Sequence, residues 1–140
     1  MATFTKIDKF ALNLGSKVFN LATDQLKVAL TNTLPVAATA NQYSDLTSPL
    51  ATTNLSGATP FNVTTTSFTQ TSGTAKLICA DLVLTATGAV GPFRYVVLYS
   101  DTATNDELIG FYDYASSISL ANGETFTIDF DGSAGVLTNA

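Results

Sequence analysis

The residues that could carry chemistry in this chain of 140 residues are mainly carboxylates, because it holds one cysteine and no histidine. Asp101, Asp106, Glu107 and Asp113 form one acidic group. Two carboxylates about 5 to 9.5 Å apart across a cleft can hydrolyse a glycosidic bond. The same residue types are also typical of polar turns beside a strand, and this second interpretation is the stronger one. A serine nucleophile would normally need a histidine base, so we predict that the protein has no catalytic residues.

A second acidic motif, Asp129-Phe130-Asp131-Gly132, resembles the start of a calcium loop. Such a loop needs a glutamate six residues after the glycine, and Thr138 occupies that position. Structural zinc is also disfavoured, because it requires several cysteine or histidine ligands. We therefore expect no metal site and no cofactor, and we expect Cys79 to be a small buried hydrophobic residue.

The composition argues against charged partners. Charged residues make up 12% of the chain, against about 25% in an average globular domain, and the net charge is −5. The six basic residues are scattered, whereas nucleic-acid binding needs clusters of Lys and Arg. No apolar stretch reaches the roughly 18 residues of a membrane span, and no secretory signal is visible at the start. We expect no nucleic acid or membrane partner and synthesis in a cytoplasm.

The N-terminal 20 residues carry the pattern of an amphipathic helix or arm. Thr5 is suited to cap its start, and Gly15 predicts an end near Leu14 or, with compensating packing, near Asn20. The stripe either covers the protein's own sheet, which we favour, or docks on a neighbouring subunit. Its apolar residues recur every three or four positions: Ile7, Phe10, Ala11, Leu14, Val18 and Leu21.

The next two segments differ sharply in pattern. Residues 21–31 contain the alternation of a half-buried strand, Leu26–Thr31. Residues 32–60 contain three prolines and no sustained period, which predicts a long irregular segment with a short helical turn around Tyr43–Leu46. Such a long loop is usually functional or flexible, so we expect it to reach towards a partner.

Residues 61–140 read as successive strands separated by turn residues. Asn122-Gly123 between two alternating runs predicts a hairpin. This spacing predicts one mainly β domain, an antiparallel β-sandwich or jelly-roll-like fold with one N-terminal α-helix. The predicted strands are Phe61 to Thr71, Thr74–Thr85, Phe93–Tyr99, Leu108–Tyr114, Ser117–Leu120 and Phe126–Phe130.

Aromatic residues are concentrated on two of these strands. Tyr112 and Tyr114 share one strand face, opposite Phe111 and Asp113, so one of the two faces could be exposed. Exposed aromatics stack sugars or anchor interfaces, whereas buried ones are ordinary sandwich core. The cluster consists of Phe93, Tyr95, Tyr99, Phe111, Tyr112 and Tyr114.

Four stretches together resemble a family of small structural proteins of tailed bacteriophages. They are Leu26–Asn32, Gly91–Tyr99, Leu108–Tyr114 and Leu120–Phe130. The resemblance spans most of the chain except residues 32–60 and implies no catalytic residue. It implies a virion component, best matched by a capsid decoration (cement) protein on the capsid exterior. Its partners would be the major capsid protein and further copies of itself, with a trimer favoured.

Several functions remain open at this point. A tail, adaptor or fibre component would bind a receptor or carbohydrate, a plain sugar-binding module would be monomeric, and a small carbohydrate-active enzyme would use Asp101, Asp106 or Asp113. The structural role ranks first because of the composition and the resemblance. The residues that we predict at a partner interface are Ile7, Phe10, Leu14, Tyr43, Leu46, Leu50, Tyr112 and Tyr114.

Overall fold

Antiparallel strands dominate the computed structural model, which describes residues 2–139 and is mainly β with one short α-helix. This confirms the predicted fold class. A single 3₁₀ turn, Tyr43–Asp45, interrupts the long segment after the second strand. The remaining elements are β1 Thr3–Lys6, α1 Phe10–Gly15, β2 Leu26–Thr31, β3 Asn62–Val63, β4 Thr65–Thr71, β5 Thr74–Cys79, β6 Leu82–Thr85, β7 Val90–Ser100, β8 Leu108–Leu120, β9 Thr125–Ile128 and β10 Leu137–Asn139.

The strands form two packed layers, as in a β-sandwich. The main sheet has the order β1-β8-β7-β2-β3, and the second layer consists of a three-stranded sheet, β10-β5-β4, and a two-stranded ribbon, β6-β9. One apolar cluster joins the layers, and Phe93 of the main sheet and Phe130 of the second layer are almost fully buried in it. The ammonium of Lys6 on β1 donates to the carbonyl of Thr138 on β10 at 3.3 Å, which links the first strand to the last.

The outer face of the main sheet is also covered, by part of the segment that follows β2. Ala37, Ala40, Tyr43 and Leu46 from this segment pack on a second apolar cluster of the sheet. The segment is irregular, as predicted. Because it lies on the sheet, β2 is buried on both faces, and the predicted half-buried strand is wrong in that respect, although its bounds are confirmed. The sheet residues of this second cluster are Ala29, Tyr95, Val97, Tyr99, Leu108 and Phe111.

The predicted N-terminal helix is wrong in its extent. Thr5 does not cap a helix, because it lies in β1 opposite Phe111 of β8. The helix begins at Phe10 without a side-chain cap and ends at Gly15. Residues 3–6 gain backbone pairing at the edge of the main sheet, and this tertiary pairing overrides the local helical pattern. The helix packs on its own protein, since Phe10 is 2% exposed.

Two of the predicted long strands are each split between two sheets. The strand predicted from Phe61 divides at Thr64 into β3 in the main sheet and β4 in the second layer. The strand predicted over Thr74–Thr85 divides into β5 and β6, because the chain leaves regular pairing at Ala80-Asp81. The Asp81 carboxylate accepts the Phe130 backbone N–H at 3.0 Å, which fixes this break against the strand opposite.

The Asn122-Gly123 turn forms, but the predicted hairpin is wrong. The strand before it is β8, which absorbs the separately predicted strand Ser117–Leu120 and pairs there with β7, with Leu120 opposite Val90. β9, the strand after the turn, crosses to the second layer and pairs with β6 instead. The turn carries the chain from one layer to the other.

Candidate partner surface

The eight residues predicted at a partner interface do not form one surface. Ile7, Phe10 and Tyr112 are 1%, 2% and 4% exposed. Ile7 belongs to the second apolar cluster, on the outer face of the main sheet, whereas Phe10 and Tyr112 belong to the cluster between the layers. These three side chains are covered by the protein itself, so in this structure they are not accessible to a partner.

The helix exposes a different residue from those predicted. Leu14 is half-buried against the inner cluster, and the Phe10 ring lies 5.8 Å from the Phe19 ring. Leu12, which is not part of the predicted stripe, is 62% exposed. Because α1 has only six residues, it presents one large apolar side chain, Leu12, and the small Ala11 to solvent and has no continuous apolar face.

Tyr43, Leu46 and Leu50 lie in the segment that covers the main sheet, and all three are half-buried. The Tyr43 ring lies 5.1 Å from the Tyr99 ring, and burial together with the nearby charge of Asp106 raises the pKa of Tyr43. The Leu50 N–H donates to the carbonyl of Leu30 at 2.8 Å. These residues fasten the segment to the sheet and leave only part of each side chain available to a partner.

Hydrogen bonds hold the segment in one conformation. The side chains of Gln42 and Asp45 cap the 3₁₀ turn reciprocally, and the Asp45 carboxylate also accepts the Asn41 N–H at 2.9 Å. The hydroxyl of Thr31 donates to the Thr47 carbonyl at 2.7 Å, and the Leu108 N–H donates to the Asn41 carbonyl at 3.0 Å. The predicted reaching loop is thus an ordered layer of the protein.

An exposed apolar patch lies on this ordered layer and was missed by the sequence reasoning. Leu34 and Val36 are 52% and 51% exposed and flank Pro35. Together with half-buried Leu46 they line a shallow groove whose other walls are mostly threonine and alanine. Pro35 itself is buried, so we call Leu34, Val36 and Leu46 the outer patch. The sequence feature that could have indicated this patch is a pair of large apolar residues on either side of a proline, in a segment without periodicity.

The aromatic cluster on β8 is mainly core. The Tyr112 ring packs 4.9 Å from Phe4 and 5.9 Å from Phe130, and the Tyr114 ring packs 5.1 Å from Phe126. Burial raises the pKa of Tyr114 to about 12, so its hydroxyl stays protonated near neutral pH. Phe111 and Tyr112 are both buried, because the outer segment and the second layer cover opposite faces of β8.

The structure separates Asp113 from the other members of the first acidic group. Asp101, Asp106 and Glu107 lie near one another, and burial together with the charges of Asp101 and Glu107 raises the pKa of Asp106. Asp113 lies in β8 opposite Tyr95, whereas Asp101 and Asp106 lie in the turn between β7 and β8. Six residues along β7 separate these places, which is roughly 20 Å at about 3.4 Å per residue. That separation exceeds the spacing of a glycosidase pair. Asp101 is instead paired with the ammonium of Lys27 at 3.3 Å.

Asp113 takes part in a side-chain pair across the main sheet. Its two oxygens accept from Arg94 Nε at 2.7 Å and Nη2 at 3.0 Å, and one of them also accepts the Ala115 N–H. The bonds from Arg94 and then from Ala115 lower the pKa of Asp113. A carboxylate held in this way positions β8 and is poorly suited to act as a proton donor.

The second acidic motif is a turn. One Asp131 oxygen accepts the N–H groups of Ser133 and Ala134, each at 2.8 Å, and these bonds lower the pKa of Asp131. Between residues 2 and 139, no group of three or more His, Cys, Asp or Glu side chains is placed to hold a metal ion. Cys79 is buried, and burial raises its pKa to about 11.

Comparison with protein-family models, curated proteins and solved structures finds no significant match. In the part of the chain that the structure describes, no helix is long and apolar enough to span a bilayer. Features of this chain that a partner could contact include the outer patch, the exposed Leu12 and Val83, and the free edges of the sheets.

Proposed function

We propose that this protein is a non-enzymatic structural component of a tailed-phage particle, a decoration protein that binds the outside of the capsid shell and stabilises it. The proposal starts from the resemblance of four stretches of the sequence to small phage structural proteins. The partner is a subunit of the shell, and the contact is repeated in many copies. Such repetition turns a modest single-site affinity into firm attachment.

The outer patch is the observation that carries the proposal. Leu34 and Val36 are about half exposed on a layer that hydrogen bonds already hold in place. A partner that buries them does not have to order the segment first, and preorganisation of this kind lowers the entropic cost of binding. The fully buried centre of a protein interface is more apolar than its rim, and Leu34 and Val36 suit such a centre.

The surrounding surface supports the same function. Threonine supplies 23 of the 140 residues, whereas charged residues are 12%. Short side chains lose little rotamer entropy when they are buried, in contrast to lysine and glutamate. A wide contact around the outer patch therefore has a small ordering cost, which suits a protein that covers seams between shell subunits.

A fractionation of the parent phage tests the location. Heads and tails are separated, and the protein is quantified in each by mass spectrometry. The proposal predicts enrichment in heads at a copy number comparable to the major capsid protein. Enrichment in tails at low copy would transfer the protein to an adaptor or fibre, and absence from both would end the virion proposal.

Surface substitutions test the binding site. Val36→Ser and Leu34→Ser remove apolar area from the outer patch, so we expect each to lower occupancy on purified shells. Val83→Ser on β6 is the matched control, because Val83 is 56% exposed but lies in the second layer. Equal occupancy of all three variants and the unmodified protein would contradict binding through the outer patch.

Deletion of residues 1–20 would test binding if these residues formed the predicted arm, but in this structure it is a poor test. It would remove β1 together with Ile7 and Phe10, which are buried. Loss of shell binding after this deletion would follow from unfolding alone. The substitutions at the outer patch leave the core intact and separate the two effects.

A second candidate function, receptor or carbohydrate binding by a tail or fibre component, is favoured by one cleft. Lys27, Tyr43, Phe61 and Tyr99 line this cleft beside β2. Aromatic rings beside polar groups are a common way to bind a sugar. Glycan-array binding that is lost with Tyr43→Ala and retained with Val36→Ser would favour this candidate, whereas the absence of any glycan signal would remove it.

A further inference from the structure

Among the strands between residues 2 and 139 that lie at a sheet edge over their whole length, β4 is the longest. It has seven residues and pairs on one side with β5, and within residues 2–139 no strand pairs with its other side. The remaining edge strands, β1, β3, β6, β9 and β10, have two to four residues each. An unpaired strand edge is a template for pairing with another chain, and its length sets how many hydrogen bonds that pairing makes.

β4 also lacks the features that normally protect such an edge. Natural edge strands are usually blocked by lysine, proline, inward charges or bulges. The sequence of β4, Thr-Thr-Ser-Phe-Thr-Gln-Thr, contains no charge and no proline, and its one irregularity lies at the Thr65/Ser67 end. It belongs to a stretch, residues 46–75, without a charged residue. The edge is therefore open over most of its length.

The hairpin between β4 and β5 determines which backbone groups are free. Ser72 and Gly73 both have positive φ, 51° and 82°, as in a type I′ turn that joins Thr71 directly to Thr74. Thr71 and Thr74, which flank the turn, exchange both of their backbone hydrogen bonds. Along an antiparallel ladder such hydrogen-bonded pairs alternate with pairs that exchange none. The N–H and C=O groups of Gln70 and Phe68 consequently point away from β5, towards the open edge.

We infer that β4 pairs antiparallel with β4 of a second copy of this chain, about a twofold axis at Phe68. Phe68 is the central residue of the strand and its backbone groups face outward, so the two copies of Phe68 can exchange both hydrogen bonds. Ser67 then lies opposite Thr69 of the partner subunit. The two three-stranded sheets join into one continuous sheet of six strands, and each copy contributes the same surface, as in an isologous dimer.

The charge distribution favours a second copy as the occupant. Each chain carries a net charge of −5, so self-association through an acidic surface would be repulsive. β4 has no charged residue, so two copies of it meet without charge repulsion along the strand. Apart from Phe68 on the axis itself, the side chains that lie opposite one another across the twofold axis are Thr, Ser and Gln, which are uncharged and can form hydrogen bonds. This inference does not depend on the capsid proposal. It predicts a twofold dimer in place of the trimer expected from the sequence resemblance.

Solution mass tests the pairing. Light scattering after size exclusion should give twice the 14.6 kDa of one chain and fall towards one chain on dilution. Thr69→Lys places two like charges across the proposed interface, so it should shift the protein to the monomer at concentrations where the unmodified protein is a dimer. Thr127→Lys on exposed β9 adds the same charge elsewhere and should leave the dimer intact.

Selective cross-linking tests the register. Directly opposed residues that do not exchange hydrogen bonds have Cα atoms about 4.5 Å apart, which a disulfide can bridge. A mixture of Ser67→Cys and Thr69→Cys chains should form cross-linked dimers under mild oxidation, whereas each variant alone should not. The native Cys79 is buried and does not compete.

Three results would overturn the inference. One is a monomer at every concentration, without cross-linking of the mixture. Another is a dimer or trimer whose mass is unchanged by Thr69→Lys. The last is cross-linking of each single variant as strongly as the mixture, which would indicate a different register or random collision.

Discussion

At the scale of single residues, the polar groups of this protein maintain its architecture. Arg94 and Asp113 join β7 to β8 through two hydrogen bonds of 2.7 and 3.0 Å. Asp131 closes the turn before β10, and Asp81 fixes the break between β5 and β6. The acids that the sequence offers for catalysis are thus used in turns and cross-strand pairs. Their residue types alone could not distinguish these roles, because the distances depend on the strand pairing.

The Arg94–Asp113 pair gives the protein a stability that depends on pH. The pKa of Asp113 is lowered in the folded state, so its contribution is present above the unfolded value of about 3.9 and is lost as pH falls through the folded value. We expect Asp113→Asn to lower the melting temperature at neutral pH, with the difference shrinking below about pH 4.

The control for this prediction is Asp129→Asn, which removes the same charge from an exposed residue at the end of β9. Thermal unfolding of the three proteins across pH measures the effect. If Asp113→Asn and Asp129→Asn give the same profile, the pair with Arg94 contributes nothing specific.

At the scale of elements, the main sheet depends on the close approach of β1 to β8. A Cβ at Gly110 would lie 2.5 Å from the Phe4 ring and 2.5 Å from the Thr5 carbonyl oxygen. Glycine at this position is what allows the two strands to pair with the observed register, Lys6 opposite Gly110. By contrast, Gly15 at the end of α1 has open space around it.

These two glycines give predictions of opposite sign. Gly110→Ala should destabilise the protein by about 1–3 kcal/mol, because the added methyl group overpacks the β1–β8 contact. Gly15→Ala should stabilise it by up to about 1 kcal/mol, because alanine loses less backbone entropy in a helix. Denaturant unfolding measures both, and hydrogen exchange of the β1 amides should accelerate in Gly110→Ala alone. A neutral Gly110→Ala variant would show that β1 adapts easily.

Local sequence patterns predicted β2 and the turn at Tyr43. The bounds of β2 and the turn at Tyr43 follow from alternation and from the absence of periodicity in the segment that follows. β1 was missed because its four residues are stabilised by a partner more than 100 positions away. The split of Thr74–Thr85 was also not predictable, since both halves have strand character and only the sheets to which they belong differ. The outer patch was missed because exposure depends on packing.

At the scale of the whole molecule, the main sheet is closed on both faces by its own chain. The second layer covers the inner face, and the ordered segment after β2 covers the outer face. The places left for a partner include edges such as β4, side chains that project from the covering layer such as Leu34 and Val36, and the cleft beside β2. This explains why the aromatic residues that seemed available on β8 are largely core.

The same closure predicts the reactivity of the single cysteine. Cys79 is 2% exposed within the inner cluster, and burial raises its pKa to about 11. Since the thiolate is the reactive form, we expect labelling by a thiol reagent at neutral pH to be very slow in the folded protein and fast in denaturant. Rapid labelling under native conditions would indicate that the second layer opens locally.

The cleft that contains Tyr43 offers a place where a foreign segment can be displayed. Gly57 and Ala58 are exposed, and Ala58 lines this cleft. Exposed loop tips with small residues are the positions where insertions are best tolerated. A fluorophore or peptide inserted between Gly57 and Ala58 should therefore leave the fold intact and report on any molecule that enters the cleft.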